Sequence, residues 1–522
     1  METGHGLHYI FFPDARLPDA DDLSALAPTG HWTREGDSGE ELTCFDTFDW
    51  RLYAAGFAAE ELHIGAEVMF QVRKFGGSEA PISQSGPAPR LAIDHPELPC
   101  NARLIPVVEM RALLPMVQLR IVRHSWALRD GNGKIVLRLH HERLKFNRVE
   151  EGAAAGDLQL LRLEPLKGYP EACARVREIY SVRSGLTPQE TDPYDLVLQQ
   201  LKLPPEVVSA KKTVPLTPRL SIFDALRCIL RQQLTAMIRN EAGARIGLDS
   251  EFLHDFRVAV RRTRTLLGQV KGVFPAKIEQ KFRREFAWLG QITGPTRDLD
   301  VYLLDFPLYQ AALPVQYRPD LAPLHDFLLQ QQKKAQRLLT RRLQSRRYQV
   351  LLEEWRTWLE CPSPADMSLG PKAQLPVREV ADRRIWKIYS RVIREGEAIG
   401  PDSPAAELHE LRKSCKKLRY LLEFFASLYP EKQIRQLISA LKKLQDNIGA
   451  YHDLAVQSAA LRDDSLRMAD TEDVPVATQL AMGMLIEQLL VRQQQTRQLF
   501  SERFAGFAGQ RTRQQLVELC QR

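Results

Sequence analysis

Two short runs in the second half of the chain have residue types and a spacing that suit phosphate binding. Both follow the intervals i, i+3, i+7 and i+10. They are His254, Arg257, Arg261 and Arg264 in the first run and His409, Arg412, Lys416 and Arg419 in the second. On a helix each residue advances about 100°, so the four side chains of a run fall within about 80° of arc and form a row about 15 Å long. Arginine donates two parallel hydrogen bonds to a phosphate, lysine supplies a mobile charge and histidine can donate one more hydrogen bond.

Neither row contains an acidic residue. Stacked like charges repel by a few tenths of a kcal/mol per pair, and a solvated helix face usually relieves this by interleaving Glu. Asp255 and Glu410 lie beside the rows, at the helix starts, where acids favour the helix dipole. One basic helix is more often a solvated face, but the same row found twice favours binding of a polyanion. For His254 and His409 a structural alternative stays open, namely buried helix-start residues with satisfied hydrogen bonds.

The rows belong to a duplicated helical unit. LHDFRVAVRRTRTLL (253–267) aligns with LHELRKSCKKLRYLL (408–422) at an offset of 155 residues, and the same offset aligns two Gly-x-x-x-Asp-Leu segments that begin at Gly294 and Gly449. Apolar residues at helical spacing predict long helices throughout this part. The predicted helices cover 221–240, 250–270, 277–289, 321–347, 377–396, 405–428, 431–445 and 476–507. We predict a four-helix bundle for each copy.

The first part of the chain has a different pattern. Alternating apolar runs at 63–75, 116–128 and 134–146 predict β-strands, and Asp130-Gly131-Asn132-Gly133 predicts a hairpin turn between the last two. A helix is predicted over 169–183. We therefore expect an α+β multidomain protein. Its predicted parts are a β-rich domain at 1–203, a Pro-rich linker at 204–218 and a helical domain at 219–510, with repeats at about 219–347 and 375–508.

Charge divides the chain in the same way. Residues 1–210 hold 22 Lys and Arg against 30 Asp and Glu, whereas residues 211–522 hold 50 against 35. The basic part predicts an anionic partner. No apolar run is long enough to span a membrane, and the N-terminus does not resemble a secretory signal. The seven scattered cysteines indicate reduced thiols in a cytoplasmic protein without zinc. We expect no metal and no cofactor.

The paired rows and the Gly-x-x-x-Asp-Leu segments resemble the conserved histidine α-helical (CHAD) domain over roughly residues 215–510. The resemblance implies two pseudo-symmetric four-helix bundles whose basic helices line a groove for inorganic polyphosphate. It also implies association with polyphosphate granules in a prokaryotic cytoplasm. The binding residues that it implies are the eight row residues and, in addition, Arg262, Arg284, Arg297, Lys417, Lys443 and His452.

CFDTFDWRLYAAGFAAEEL (44–62) resembles a segment of the CYTH, or triphosphate tunnel, family, which implies an antiparallel β-barrel or tunnel over about 5–200. Members of that family open with Glu-x-Glu-x-Lys, but LHYIFFPD (7–14) has no acid or lysine before Asp14. Metal-assisted phosphoryl transfer needs carboxylates to hold the metal. We therefore expect a degenerate domain without catalytic residues. Arg120, Arg123 and Arg138 are either a basic remnant inside the barrel or ordinary charges on the strand surface.

Two other functions remain to be compared with polyphosphate binding. A nucleic-acid-binding protein would interleave aromatic residues with cations, and only Tyr420 lies near the rows. A metal-dependent triphosphatase would act through the first domain. The sequence also permits a protein partner for that domain.

Overall fold

The structure, a computed structural model, describes the chain in eleven ranges. These are residues 8–11, 20–26, 30–75, 80–149, 156–166, 168–184, 188–189, 192–203, 213–360, 369–471 and 474–520. The chain divides into two compact units, Met1–Val207 and Val208–Arg522.

Unit 1 is built on a nine-stranded antiparallel sheet. Its strands are β1 His8–Phe11, β2 His31–Asp46, β3 Phe57–Ile64, β4 Glu67–Lys74, β5 Ile82–Ser85, β6 Leu114–Arg129, β7 Ile135–Arg148, β8 Gly156–Pro165 and β9 Pro188–Gln189. The strand order is β5-β4-β3-β2-β6-β7-β8-β1-β9. The edge strands β5 and β9 do not pair with each other, so the sheet formed by the described strands is not the closed barrel that was predicted.

Five helices accompany the sheet in the described part of unit 1. They are α1 Ala20–Leu26, α2 Arg51–Ala54, α3 Pro99–Val108, α4 Pro170–Ser184 and α5 Pro193–Gln200. Helix α4 was predicted to within a residue. The cores of the unit lie between these helices and the sheet, as where Cys173 and Val176 of α4 pack with Leu161 and Leu163 of β8.

Two sequence motifs of unit 1 form tight turns. The predicted hairpin joins β6 to β7, where the Asp130 carboxylate accepts hydrogen bonds from the N–H groups of Asn132 (2.9 Å) and Lys134 (3.0 Å). Gly133 there has a φ of 77°, which glycine adopts without strain. Within the CFDTFDW segment, the buried Asp46 carboxylate accepts from the N–H groups of Leu52 and Tyr53, both at 2.9 Å. Asp46 therefore holds the turn that leads into α2.

Each of the three strand arginines that were considered as a basic remnant forms an ion pair with an acidic residue. The pairs are Arg120 with Glu41 at 3.6 Å, Arg123 with Glu40 and Glu142 at 2.7 Å, and Arg138 with Glu35 at 2.9 Å. These contacts favour ordinary strand charges over a basic remnant that is free to bind phosphate.

Unit 2 is helical. Its helices are α6 Ile222–Ile246, α7 Ser250–Gln269, α8 Ala276–Ile292, α9 Gly294–Leu304, α10 Phe306–Ala311, α11 Ala322–Leu343, α12 Arg346–Glu360, α13 Val377–Glu397, α14 Ala405–Phe424, α15 Glu431–Thr471, α16 Val476–Gln498, α17 Phe500–Ala508 and α18 Gln510–Cys520. Helix α12 lies mostly beyond residue 347, where the first copy was predicted to end. Helix α18 was not predicted.

The duplication is visible in the helix bounds. Helices α7 and α14 begin and end 155 residues apart, and the last residues of α11 and α16 keep the same offset. One difference has a local cause. In the first copy the helix is interrupted between α8 and α9, where Pro295 follows Gly294. Proline lacks an N–H and is tolerated in the first turn of a helix but not inside one. The second copy has Ala450 at that position, and α15 continues unbroken.

The starts of the two copies are joined by reciprocal hydrogen bonds. The N–H of Ile222 donates to the carbonyl oxygen of Leu375 (2.9 Å), and the N–H of Val377 donates to that of Leu220 (2.8 Å). These positions are exchanged by the 155-residue offset, so the bonds obey a local pseudo-twofold symmetry. A shared core, which contains Leu324 and Phe327 of the first copy and Met482 and Leu485 of the second, also joins the copies.

Candidate functional site

The two predicted rows lie on α7 and α14. Asp249 caps α7 by accepting hydrogen bonds from the N–H groups of Glu251 (2.9 Å) and Phe252 (3.0 Å). Apolar residues such as Phe256 of α7 and Leu418 of α14 are fully buried on the opposite faces. Burial of these faces fixes the rotation of both helices and therefore the direction of the rows.

The rows meet where α7 packs against α14. The ring of the buried Tyr420 lies 5.9 Å from the Arg261 guanidinium of the first row and 5.6 Å from that of Arg419 in the second row. Cations from both copies therefore surround one aromatic side chain, within the range of cation–π attraction.

The pKa of Lys416 shows that positive charge is concentrated at this junction. Burial, followed by the charges of Arg412, Arg261 and Arg419, lowers its pKa to about 8, although the charge of Asp453 opposes the shift. Arg261 belongs to the other copy, so the two rows act on each other electrostatically. The free protein therefore holds a lysine that is less stable in its charged form than in water.

In the first row, Arg257 is directed towards the end of α8. Its Nη1 donates to the Thr293 hydroxyl (2.9 Å) and to the carbonyl oxygen of Gly290 (3.3 Å). Its pKa is lowered by burial first; the charge of Asp298 raises it, and those of neighbouring arginines lower it further. A Cβ on Gly290 would lie 2.6 Å from Nη1 of Arg264, so this glycine lets Arg264 lie against α8.

In the second row, Arg412 donates to the Asp453 carboxylate at 2.9 Å. The Nδ1 atoms of His409 and His452 are 3.4 Å apart, with ring centroids separated by 4.8 Å. The pKa of His452 is lowered, first by burial and then by the positive charges of Arg412, His409 and Lys416. The charge of Asp453 opposes this shift. A bound anion would reverse the shift and make His452 a better donor.

Acidic residues neutralise only part of this surface. Asp298 and Asp453 occupy equivalent positions in the two Gly-x-x-x-Asp-Leu segments and act on Arg257 and Arg412. The row cations Arg261 and Arg264 are exposed. Within the described ranges these two residues, and likewise Lys416 and Lys417, make no salt bridge. We name the paired rows with Arg297 and His452 the basic surface. Lys417, the counterpart of the buried Arg262 at the 155-residue offset, is left outside it.

Arg262 lies in a different environment from its neighbours. It is 2% exposed, forms an ion pair with Glu423, and lies between the rings of Tyr420 (5.5 Å) and Phe424 (4.5 Å). We therefore place Arg262 in the packing between α7 and α14 and not in the basic surface, although the sequence placed it among the binding residues.

Three further predicted residues lie at three different places. Arg297 lies near the start of α7, where it donates to the carbonyl oxygen of Ser250 (3.2 Å) and lowers the pKa of Arg257. Arg284 is 77% exposed and contacts Glu285, which also binds Arg347 of α12. Lys443 lines a pocket against α17 and α18. Arg284 and Lys443 are therefore not brought to the basic surface.

Three residues of the site were missed by sequence reasoning. Thr293 and Gly290 receive Arg257, and Glu423 pairs with both Arg262 and Arg419 (3.3 Å for the latter). Glu423 lies four residues after Arg419, which is an ion-pair spacing on a helix and was a usable signal. Nothing local marks Thr293 as an acceptor.

Comparison with known proteins identifies a domain within unit 2. The family model of the CHAD domain matches residues 228–462, and this part of the chain is a CHAD domain. The antiparallel sheet of unit 1 is compatible with a CYTH-like tunnel, which remains a prediction.

Two solved structures are similar to the chain. The crystal structure of the CHAD domain from the plant Ricinus communis has 24% identity and a TM-score of 0.47, and the match covers 56% of this chain and 95% of that one. PptA from Streptomyces chartreusis has 18% identity and a TM-score of 0.40, with 54% and 99% covered. The search of curated proteins gave no match.

Two other features are absent from the described ranges. No helix there is long and apolar enough to cross a membrane. No group of three or more His, Cys, Asp or Glu side chains there is arranged to hold a metal ion.

Proposed function

We propose that unit 2 binds inorganic polyphosphate on the basic surface and thereby associates with polyphosphate granules. The observation that carries the proposal is the junction at Lys416, where like charges from both rows lie close together and Lys416 has no salt bridge to any described residue. A polymer of closely spaced phosphates supplies the missing negative charge along both rows at once.

Polyphosphate fits this surface better than a nucleic acid does. Proteins that bind single strands stack bases on exposed aromatic rings. Tyr420, whose ring lies beside cations of both rows, is 3% exposed and already contacts three guanidinium groups. A base therefore has no open ring there on which to stack, whereas a chain of phosphates needs only cations.

Unit 1 is proposed to have no catalytic role. The opening strand lacks the Glu-x-Glu-x-Lys residues, and the three strand arginines are paired with acids. We expect the full chain to release no phosphate from tripolyphosphate in the presence of Mg²⁺ or Mn²⁺. Steady metal-dependent release would establish a triphosphatase instead, and unit 1 then would not be degenerate.

The test of polyphosphate binding compares two double variants of the full chain by filter binding. The row variant, Arg261→Ala with Lys416→Ala, removes the two equivalent cations at the junction. The outer-face variant, Lys333→Ala with Lys334→Ala, removes two exposed lysines of α11. Since a charged hydrogen bond contributes about 1.5–3 kcal/mol, we expect the row variant to lose at least about 100-fold in affinity for long-chain polyphosphate.

The outer-face variant should bind nearly as well as the unchanged protein. Equal losses in the two variants would show that the rows are not the site. In a competition experiment, RNA that displaces long-chain polyphosphate at matched charge would favour the nucleic-acid alternative.

A further inference from the structure

A pocket of about 470 Å³ with a mixed polar and apolar lining lies between α15 and the short helices α17 and α18. Three exposed cations line it, Lys443, Arg503 and Arg511, against one acid, Glu502. None of these four side chains makes a salt bridge with any residue that the structure describes. The pocket therefore carries an excess of positive charge that no salt bridge among the described residues offsets.

At the equivalent place in the first copy, the 155-residue offset puts Lys281, Glu285 and Trp288 of α8 where the pocket has Gln436, Ala440 and Lys443. Charges are paired there: Lys281 forms a salt bridge with Glu354 and Glu285 with Arg347 of α12, both at 2.7 Å. Aromatic residues pack beside these pairs. Trp355 packs on Phe282 with ring centroids 4.4 Å apart, on Phe286 at 5.3 Å, and on Trp358 in a stacked arrangement at 5.3 Å. Trp355 is fully buried.

The buried positions show which residues replace these tryptophans in the second copy. Helix α12 buries Tyr348, Leu351, Trp355 and Leu359, at steps of three, four and four residues. Helices α17 and α18 bury Phe504, Phe507, Thr512 and Leu516, at steps of three, five and four. The extra residue falls at the break around Gly509. Thr512 therefore stands where Trp355 does, and Gln515, three residues further on, stands where Trp358 does.

In the second copy these two positions therefore carry polar side chains, and both line the pocket. Thr512 is 6% exposed and lines the pocket, and its hydroxyl has no hydrogen-bond partner among the described residues. Helix α18 begins at Gln510, so the free N–H groups of its first turn lie at the same place. An unpaired hydroxyl on a mostly buried residue and a helix N-terminus both favour an anionic oxygen ligand.

We propose that this pocket binds a small ligand with a triphosphate group, as a site separate from the basic surface. Three cations, a hydroxyl and a helix N-terminus suit several phosphates better than one, and the volume is that of small-molecule sites. Lys443 and His452 are nine residues apart on α15, so they lie on opposite faces of that helix. The pocket and the basic surface therefore do not share a wall.

The experiment uses the full chain carrying Arg261→Ala and Lys416→Ala, so that the basic surface contributes little. Tripolyphosphate and ATP are titrated by calorimetry into this protein with and without a pocket variant, Arg503→Ala with Arg511→Ala. We expect saturable binding that the pocket variant weakens at least about tenfold, because charged hydrogen bonds are lost. The matched control, Arg462→Ala with Arg492→Ala, removes two exposed arginines outside the pocket and should leave affinity within about twofold.

Hydrogen exchange gives a second measurement that locates the ligand. Tripolyphosphate should protect peptides that cover 500–520, and Thr512→Trp, which restores the side chain of the first copy, should abolish that protection. Tighter binding of ATP than of tripolyphosphate would identify a nucleotide ligand, and the reverse an inorganic one.

Absence of saturable binding, or equal affinity in the pocket and control variants, would overturn the proposal. Long-chain polyphosphate binding to the protein with an intact basic surface tests the proposed function independently.

Discussion

Replacement of Lys416 by methionine should stabilise the free protein and weaken its binding of polyphosphate. The pKa of Lys416 is about 8, against an ordinary value near 10.4, and a difference of one in pKa corresponds to about 1.4 kcal/mol. The charged form is therefore destabilised by at most about 3 kcal/mol at pH 7. Because Lys416 is half-buried, solvent screening reduces this destabilisation of the charged form. We therefore expect Lys416→Met to raise the free energy of unfolding by about 1–2 kcal/mol.

The lowered pKa of Lys416 makes the free energy of unfolding depend on pH, and the direction of this dependence can be derived. Between pH 8 and 10.4 the unfolded chain binds a proton at Lys416 that the folded chain has lost, so stability rises with pH in this window. The penalty is fully present below pH 8 and disappears above about pH 10.4. The advantage of Lys416→Met should therefore be largest at pH 7 and should vanish towards pH 11.

Urea unfolding of the full chain at low salt, followed by circular dichroism at 222 nm, measures the effect in helical unit 2. Lys413→Met is the matched control, since Lys413 lies on the same helix, is 45% exposed and forms an ion pair with Glu410. It should change stability by less than about 0.5 kcal/mol. A Lys416→Met protein that is no more stable than the unchanged one at pH 7, or a difference that does not depend on pH, would refute the reasoning.

Three further predictions concern the helical unit. Polyphosphate binding should take up protons near pH 8, and affinity should fall as pH rises above 8, because the polymer raises the pKa of Lys416. Glu423→Gln should lower the free energy of unfolding by about 3 kcal/mol, because Arg262 is left buried without its counter-charge. Gly396→Ala should cost about 1–3 kcal/mol, because its Cβ would overlap the Phe504 ring.

Each of these has its own control. Calorimetry in buffers of different ionisation enthalpy measures proton uptake, and uptake that persists unchanged in Lys416→Arg would assign it to another group. A Glu423→Gln protein as stable as the unchanged one would mean that Arg262 finds another partner. Gly483→Ala has open space at its Cβ in the interior of a helix, so it should stabilise by about 0.5–1 kcal/mol; equal effects of the two alanine substitutions would exclude the clash.

The rows and the duplication could be predicted from sequence because both depend on local periodicity. A helix fixes the face of every residue once its register is known, so Arg261 and Arg264 were placed correctly on one face. The bounds of α7 and α14 were predicted to within four residues for the same reason.

The environment of the other cations depends on contacts that periodicity does not contain. Arg262 follows Arg261 in the chain, but the packing of α14 buries it against Glu423. Lys443 was grouped with His452, although the unbroken helix α15 places them on opposite faces.

Closure of the sheet in unit 1 is also a long-range property. Strand patterns predict alternation along each strand, but the pairing of edge strands brings together distant segments of the chain. In the described strands, β5 and β9 remain edges.

The salt dependence of polyphosphate affinity tests the central claim most directly. If cations of both copies neutralise one polymer, the logarithm of the association constant falls linearly with the logarithm of salt concentration. Loss of Arg261 and Lys416 should reduce the magnitude of that slope by roughly 1.4, at about 0.7 for each cation on a single-stranded polyanion. Loss of Lys333 and Lys334 should leave it unchanged. Identical slopes in the two variants would contradict the account, because the paired rows would then not contact the polymer.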